Sequence, residues 1–431
     1  MHPAILSRRT FLAATAASLA LGQKGPNDQL VVGMIGTGNQ GTGRLRELLR
    51  QPDVRIGGIC DVDRNHRDRA IALVEKEKGY KPQGYGDFRR LLDQKELDAV
   101  SIITPDHWHA IPTVQAFEAG KDVFVEKPLS YSVGEGRAMA DASLNYKRVS
   151  QMGNHIHNDH ANYRRVVELV RSGKLGKITR VHAWKTSPTR STRSRNPETL
   201  PEGFDYDFWL GPAPKHAYTP LRAHGSFRHF WDYSGGSFID FWCHISDVAF
   251  WAMDWKAPTT VTASGGRFFL DDVTETPDTL EAILEFPGAL YLFSFRPTPL
   301  PGFEHMGHIG CLFEGTEASL VTNYEKHEVW AAGKQVPDFP RPAPSIPDSP
   351  GHLREFLDAI KSRNLDTTCN VRYGHQLSKC GLLANLSYRT GRKLRWDDAR
   401  ELTSDRDANA YLMRRFRKPW RLKKQKRPAA T

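Results

Sequence analysis

Residues Leu30–Gly41, with the sequence LVVGMIGTGNQG, decide the fold. The first half of this stretch is almost continuously apolar, as in a strand buried on both faces, and an amphipathic helical pattern follows it. Between strand and helix, Gly36, Gly38 and Gly41 form the pattern G-x-G-x-x-G. In such a loop the first glycine permits a tight turn, the second lets backbone amides approach a pyrophosphate, and the third lets the helix pack close to the strand. The stretch therefore predicts the start of a dinucleotide-binding Rossmann domain.

A second apolar strand, Val54–Cys60, ends at Asp61. A carboxylate at this position can accept hydrogen bonds from a ribose diol and would repel a 2′-phosphate, which favours NAD over NADP, although Arg64 leaves NADP open. A flavodoxin-like unit that binds no nucleotide is the alternative. The cofactor-binding residues predicted in this region are Gly36, Thr37, Gly38, Asn39, Gln40, Gly41 and Asp61.

Two later strands end in polar residues that should lie at the same sheet edge. Leu97–Thr104 is followed by Pro105-Asp106-His107-Trp108-His109, and Val123–Val125 is followed by Glu126-Lys127-Pro128. Open α/β sheets bind ligands at the carboxyl ends of their strands, and a buried ammonium is costly unless it is paired and used. A solvated salt bridge at a plain strand end is the alternative for Glu126-Lys127. The cofactor candidates here are Thr104, Pro105, His107, His109, Glu126 and Lys127, and the substrate candidates are Trp108, His109 and Lys127.

The second half of the chain contains one long helical pattern followed by strands. In the helix, Asp240, His244 and Asp247 are spaced to lie on one face. A carboxylate one turn from a histidine can orient it and raise its basicity, as a general base requires, although an isolated pair of this kind is usually solvated. The later stretches Thr260–Leu270, Leu280–Phe286, Ala289–Arg296 and Gly310–Glu314 have strand patterns with alternation. The predicted fold class is therefore α/β: an N-terminal Rossmann domain and a C-terminal α+β domain with a large, mainly antiparallel sheet.

The residues between these two halves are less informative. Asn154 is a substrate candidate. His155, His157 and His160 follow it, and we interpret them as substrate-cleft or cap residues, so no metal site is predicted. Thr186–Tyr233 is a long irregular stretch rich in arginine, proline and aromatic residues. Its aromatic rings could contact sugar rings or could form core or subunit contacts. Five scattered cysteines without C-x-x-C spacing read as buried small side chains.

The formal charge of +11 is concentrated at the ends of the chain. Residues 414–431 contain nine lysines and arginines and no acid, and residues 1–27 contain three and no acid. The body of the protein is therefore nearly neutral, which argues against nucleic acid as a partner. Residues 414–431 are expected to form a basic tail that is flexible from Lys418 onward.

The first residues resemble an export signal. Arg8 and Arg9 precede Phe11 and an apolar, alanine-rich run from Leu12 to Leu21, which is too short to span a bilayer. Paired arginines followed by Phe-Leu are similar to the twin-arginine type of signal, which exports folded proteins. We therefore expect a periplasmic or otherwise exported protein without membrane insertion.

Together these motifs resemble the glucose–fructose oxidoreductase / inositol dehydrogenase (Gfo/Idh/MocA) family. The matching residues are the Gly36–Gly41 loop, Thr104-Pro105-x-x-x-His109, Ala119-Gly120-Lys121, Glu126-Lys127-Pro128, and a G-G-x-x-x-D-x-x-x-H pattern at Gly235, Gly236, Asp240 and His244. The resemblance implies that Lys127 lies near the nicotinamide and the substrate hydroxyl, with Asp240 and His244 completing the catalytic set. It also implies a homodimer or homotetramer.

This resemblance divides the chain into a signal and linker (residues 1–27), a Rossmann domain (28–150), a substrate and oligomerisation domain (151–413) and a basic tail (414–431). The expected activity is NAD(P)-dependent hydride transfer to or from a hydroxyl of a sugar, cyclitol or glycoside, with a tightly bound cofactor. Two alternatives remain: a glycoside hydrolase of the same fold that oxidises its substrate transiently, and a non-catalytic binding subunit. Hydrolases of that group tend to lose the lysine of the E-K-P motif, which this chain keeps as Lys127.

Overall fold

The computed structural model describes residues 29–186 and 198–427, so the predicted export signal lies outside the described residues. The first domain is built on a six-stranded sheet in the order β3-β2-β1-β4-β5-β6, with every pairing parallel. This is the order of a Rossmann fold. Its strands are β1 (Leu30–Ile35), β2 (Val54–Cys60), β3 (Gln83–Tyr85), β4 (Ala99–Ile102), β5 (Asp122–Val125) and β6 (Ser150–Met152).

Helices flank this sheet, as parallel strands require. They are α1 (Asn39–Leu49), α2 (Arg64–Lys78), α3 (Phe88–Leu92), α4 (Ala110–Glu118) and α5 (Val133–Asn145). Asp63 and Asp87 cap α2 and α3 by accepting hydrogen bonds from backbone N–H groups. The repeating strand and helix pattern of the sequence is thereby confirmed as a doubly wound domain.

The second domain contains a ten-stranded sheet in the order β14-β13-β12-β11-β7-β10-β9-β8-β15-β16. Only β7 and β10 pair in parallel among its described strands, so the prediction of a mainly antiparallel sheet is confirmed. The strands are β7 (Ile178–Thr186), β8 (Thr260–Gly266), β9 (Thr279–Phe286), β10 (Ala289–Arg296), β11 (Ile309–Gly315), β12 (Ser319–Thr322), β13 (His327–Ala331), β14 (Lys334–Gln335), β15 (Leu394–Asp397) and β16 (Leu402–Thr403).

The main core of the protein lies where this sheet meets its helices. Phe238, Trp242 and Phe250 of helix α9 are buried against Tyr291 and Phe293 of the sheet. Aromatic and apolar residues therefore fix the face that α9 turns toward the sheet. The helices of this domain are α6 (Ile156–Asp159), α7 (Ala161–Arg171), α8 (Tyr206–Leu210), α9 (Gly236–Met253), α10 (His352–Ser362), α11 (Val371–Thr390) and α12 (Arg406–Asn409).

Residues 198–233, called the covering segment below, lie over the carboxyl edge of the first sheet. The segment includes α8 and a short 3₁₀ helix at His224–His229, and its buried aromatic residues pack with one another. It joins the Rossmann domain through a β-bridge between Asp63 and Phe204 and a hydrogen bond from the backbone N–H of Asp205 to Val62 O of 2.9 Å. These rings thus pack as a core, and Phe208, Trp209 and Phe227 also line the cavity described below.

Residues 414–427 also pack on the protein, contrary to the expectation of a flexible tail. The guanidinium of Arg417 bonds Asp207 of the covering segment, at 2.7 Å for the closest carboxylate contact. The ring of Trp420 packs edge-on against Trp108 and Phe208, with ring centroids 4.7 and 5.1 Å apart. The basic residues of this region therefore serve partly as ion-pair partners within the fold.

All five cysteines are buried and free, as expected. Among the described residues, no helix is both long and apolar enough to cross a bilayer.

Candidate functional site

A cavity of about 640 Å³ opens at the carboxyl edge of the first sheet, between the two domains. The glycine loop and the ends of β2, β4 and β5 form one wall, and the covering segment and helix α9 form the other. Gly36, Asp61, Thr104, Lys127 and His244 all line it. The structure thus brings together, around one space, residues that lie up to two hundred positions apart in the chain.

The glycine loop fits a pyrophosphate. Gly36 has φ +87°, and a Cβ there would lie 2.4 Å from the carbonyl oxygen of Ile103; a Cβ on Gly41 would lie 2.2 Å from Gly36 O. Gly38 is the N-cap of α1 and offers no side-chain cap, so the first N–H groups of the helix are free to bind an anion. The hydroxyl of Thr104 is buried without a hydrogen-bond partner in the described structure and faces the same space. These residues fit the cofactor that the motif predicted.

Asp61 stands at the end of β2, where the ribose of a dinucleotide binds. Its Oδ2 accepts hydrogen bonds from the backbone N–H of Thr37 (2.7 Å) and from Thr37 Oγ1 (3.1 Å). Its Oδ1 accepts one from the backbone N–H of Asp63 (2.9 Å). Thr37 itself is fully buried and does not line the cavity, so it acts by holding the carboxylate and not by facing the cofactor.

The end of the cavity near Asp61, called the outer end, is lined by side chains from both domains. His224 of the covering segment lies 3.2 Å from Asp63 Oδ2, and its ring centroid is 4.6 Å from that of His66. Burial and the neighbouring His66 lower the pKa of His224. The donor atoms of Asp63, His66 and His224 lie within 4.8 Å of one another, so these are the residues that could hold a metal ion.

The opposite or inner end is centred on a buried ion pair. Lys127 Nζ donates to Asp240 Oδ1 at 2.6 Å and to the backbone oxygen of Asp240 at 3.1 Å. Arg228 of the covering segment places its Nε 2.9 Å from the same Oδ1. Burial alone would raise the pKa of Asp240, but Lys127 and Arg228 outweigh it and hold that pKa below its usual range. The carboxylate is therefore ionised and committed to two cations.

His244 lies one helical turn from Asp240 but is not oriented by it. Its Nδ1 is buried and has no hydrogen-bond partner among the described residues. The prediction that Asp240 orients His244 is therefore wrong, because two cations compete for the carboxylate more strongly than a neutral imidazole. Burial and the nearby Lys127 lower the pKa of His244 well below its usual value. The ring is consequently neutral at neutral pH and able to accept a proton.

Several predicted residues support the site without lining the cavity. His107 is buried, and its Nε2 donates to Trp209 O at 2.9 Å. The ring nitrogens of His109 lie 2.7 and 2.9 Å from Pro128 O and Thr104 O. These two histidines were predicted to contact the cofactor, and His109 also the substrate, but backbone carbonyls occupy both nitrogens of His109 and Nε2 of His107, and neither residue lines the cavity.

The remaining substrate candidates differ in position. Asn154 is fully buried and donates to Asp247 Oδ2 (2.7 Å) and Cys243 O (3.2 Å), so its prediction as a substrate contact is not met. Trp108 does line the cavity, although its Nε1 is already bonded to Trp209 O at 2.8 Å. Of the other candidates, Gly36, Gly38, Asn39, Gln40, Gly41, Asp61, Thr104, Pro105, Glu126, Lys127 and His244 line the cavity.

Sequence reasoning missed the contribution of the irregular segment. Arg228 and His224, both from the covering segment, line the cavity, and neither stands at a motif spacing. His155, which follows β6 and belongs to the histidine group noted in the sequence, lines the cavity too. The only signal was the length and aromatic content of Thr186–Tyr233, which indicated that the stretch has a use without indicating which residues carry it.

A parallel sheet with a glycine loop, a lysine at the end of β5 and an Asp/His helix together define a dinucleotide-dependent oxidoreductase fold. Comparison with known families agrees with this class. Residues 30–154 match the family described as "Oxidoreductase family, NAD-binding Rossmann fold", and residues 161–275 match "Oxidoreductase family, C-terminal alpha/beta domain". The chain belongs to the Gfo/Idh/MocA oxidoreductase family, and its first domain is an NAD-binding Rossmann fold.

Curated relatives match only part of the chain. An alpha-N-acetylgalactosaminidase of Shewanella oneidensis is 32% identical over 155 residues, which is 34% of this chain and 33% of that protein. A similar match is a glycosyl hydrolase family 109 protein of Shewanella putrefaciens, 32% identical over 159 residues, or 35% of this chain and 34% of that protein. The chain thus spans about a third of the length of the curated relatives it matches.

A solved structure shares the fold over most of the chain. The WlbA dehydrogenase of Bordetella pertussis, solved with NADH and UDP-GlcNAcA, covers 86% of this chain and 99% of its own, with TM-score 0.60 and 18% identity. At this identity the likeness shows the common fold.

Proposed function

We propose that this chain is an exported NAD-dependent oxidoreductase that moves a hydride between the nicotinamide and a hydroxyl-bearing carbon of a sugar, cyclitol or glycoside. One observation carries the proposal: the Lys127–Asp240 pair, 2.6 Å long, lies beside the neutral imidazole of His244 in a cavity that begins at the glycine loop. Burying a lysine ammonium costs desolvation free energy, and that cost is offset when the ammonium stabilises negative charge on a reacting oxygen.

The residues would divide the reaction as follows. NAD, when bound, supplies the hydride acceptor. His244 accepts the hydroxyl proton, because it is unprotonated at neutral pH and lines the cavity. Lys127 donates a hydrogen bond to the same oxygen and stabilises the negative charge that develops there. Asp240 positions the lysine, and Arg228 helps to keep Asp240 ionised.

The second candidate is a glycoside hydrolase that oxidises and reduces its substrate within one turnover. The matches to glycosyl hydrolase family 109 proteins favour this alternative. The retained Lys127 favours the dehydrogenase. Both candidate functions use the same cavity, and they differ in whether the enzyme releases reduced cofactor.

The deciding experiment incubates purified protein with NAD and a panel of sugars, cyclitols and glycosides, and follows both reduced nicotinamide and freed sugar. Accumulating NADH supports the dehydrogenase. Freed sugar without net NADH supports the hydrolase, and neither product with any compound would contradict both. The same panel with K127M and with K256M, an exposed lysine paired to Asp254 at 2.6 Å, separates site effects from loss of a surface charge.

Export and assembly are parts of the same proposal. The Arg8-Arg9 motif supports export, and fractionation of cells that carry wild-type or R8K/R9K protein tests it. Self-association is supported by exposed apolar residues on the second sheet, including Ile283, Leu290 and Trp330. Light scattering on the eluted protein would show a dimer or tetramer, and a monomer would contradict this part.

A further inference from the structure

Three histidines form a row beside the inner end. The ring centroids of His244 and His155 are 5.8 Å apart, and those of His155 and His160 are 5.1 Å apart. In each ring one nitrogen is buried without a hydrogen-bond partner among the described residues: Nδ1 of His244, Nδ1 of His155 and Nε2 of His160. A buried nitrogen without a hydrogen-bond partner lowers the stability of the fold, so three of them in a row indicate a functional role.

The proposed oxidation itself creates a need that this row can meet. When the carbinol carbon loses its hydride to the nicotinamide and the O–H bond breaks, a C=O bond forms and one proton remains on His244. Burial disfavours the imidazolium, as does the charge of Lys127 nearby. The cavity side of His244 is where substrate would lie. The proton must therefore leave through groups that flank the substrate space before the next turnover.

His155 is placed to take that proton. It lines the cavity near His244, yet 37% of its side chain is exposed, and its Nδ1 lies 3.6 Å from Oδ2 of Asp159, which is 46% exposed. The His155 and His244 rings are in edge-to-face contact, so a proton can pass between them directly or through one bridging water. Asp159 faces solvent and can accept the proton or pass it to water.

The other groups around His155 do not offer the same route. His160 stacks on Tyr324 with ring centroids 4.5 Å apart, and burial lowers its pKa to about 4, so it stays neutral. His157 is turned away, with Nε2 3.0 Å from Asp247 and its ring stacked on Trp251.

We infer that His155 is a proton-relay residue that carries the proton between His244 and solvent, with Asp159 as the outer acceptor. This inference rests on the proposed function for its purpose but not for its test. One proton leaves for each hydride transferred. The reverse of the hydride transfer and the proton transfer describes reduction of the carbonyl compound.

The test measures solvent exchange of the His244 imidazole proton by ¹⁵N NMR on the NAD-loaded full chain. In H155Q we expect exchange to slow by about tenfold or more, and in D159N by a smaller factor. H305Q is the matched control, because His305 is 44% exposed and also paired with a carboxylate, 3.1 Å from Glu328. D159N keeps an amide oxygen that can accept the His352 N–H bond (3.1 Å to Oδ1 of Asp159), and so keeps the test valid if H155Q fails to fold. Unchanged exchange in both variants would overturn the inference.

Turnover gives the second readout once a substrate is found. A relay defect lowers kcat but spares the first turnover, and added imidazole restores it. A raised KM without rescue would make His155 a substrate contact and overturn the relay. If the wild-type chain oxidises nothing while H155Q still slows exchange, the proposed function fails and the relay stands.

Discussion

The inner and outer ends of the cavity are built in different ways. Lys127 and His244 at the inner end stand on regular elements, the end of strand β5 and the third turn of helix α9. His224 at the outer end begins a short 3₁₀ helix of the covering segment, and Arg417 and Trp420 of the C-terminal region hold that segment in place. The reactive groups thus stand on a strand end and a long helix, whereas the covering segment and the C-terminal region enclose the outer end. Mutations at the inner end should therefore affect chemistry, and mutations at the outer end should affect cofactor retention.

The largest effect is expected at Lys127. Replacement by methionine keeps the length and removes the charge, so turnover should fall by about 10³-fold or more because the developing oxyanion loses its donor. Initial rates at saturating NAD measure this change. Because Asp240 keeps Arg228 as a partner, the fold should persist. A variant with near wild-type rates would show that the inner end is not the reacting centre.

The next effect is expected at His244. In H244Q turnover should fall by about 10²- to 10³-fold, the usual cost of losing a general base. NAD affinity, measured by fluorescence titration, should stay close to that of the wild type, because the glycine loop and Asp61 are untouched. Loss of cofactor binding equal to that of activity would remove the distinction between the two ends.

At the outer end, W420A should change retention more than chemistry. Trp420 packs against Trp108 and Phe208, which line the cavity, so truncation should loosen the covering segment. We expect NAD to dissociate about tenfold faster in stopped-flow displacement, corresponding to about 1.4 kcal/mol, while kcat changes little. The control is F268A, which removes an exposed aromatic ring outside the cavity. Equal release rates in both variants would mean that the tail does not hold the outer end.

The smallest change concerns pH. The folded-state pKa of His244 lies below its usual value of 6.5, so the imidazole stays unprotonated, and active as a base, until pH falls below that depressed pKa. The rate of oxidation should therefore be nearly flat as pH falls from about 8 to about 6.5 and should decline only at lower pH. A decline centred above pH 7 would assign the base to another group.

The same division explains how much the sequence could predict. The glycine loop, Lys127 and His244 follow from strand and helix patterns and their ends, which are local properties of the chain. Asp240 pairs with two cations and not with His244. One of those cations, Arg228, comes from a segment without periodicity, so the pairing could not be predicted from the sequence. Asn154 lies close to the cavity in the chain, beside His155, but its side chain bonds Asp247 in the core. The direction of a side chain after a strand end is set by packing, which the sequence does not show. Motifs therefore predicted the elements well and the partners poorly.

The position of Trp420 in the chain has a consequence for biosynthesis. The surfaces that it covers, at Phe88 and Trp108, belong to the domain that leaves the ribosome first. A nascent chain can therefore form its glycine loop and first sheet long before the residue that secures the covering segment exists. Cofactor entry would be easiest during that interval and harder once translation has passed Trp420. For a protein expected to be exported already folded, the order of synthesis would then set the time at which the cofactor is loaded.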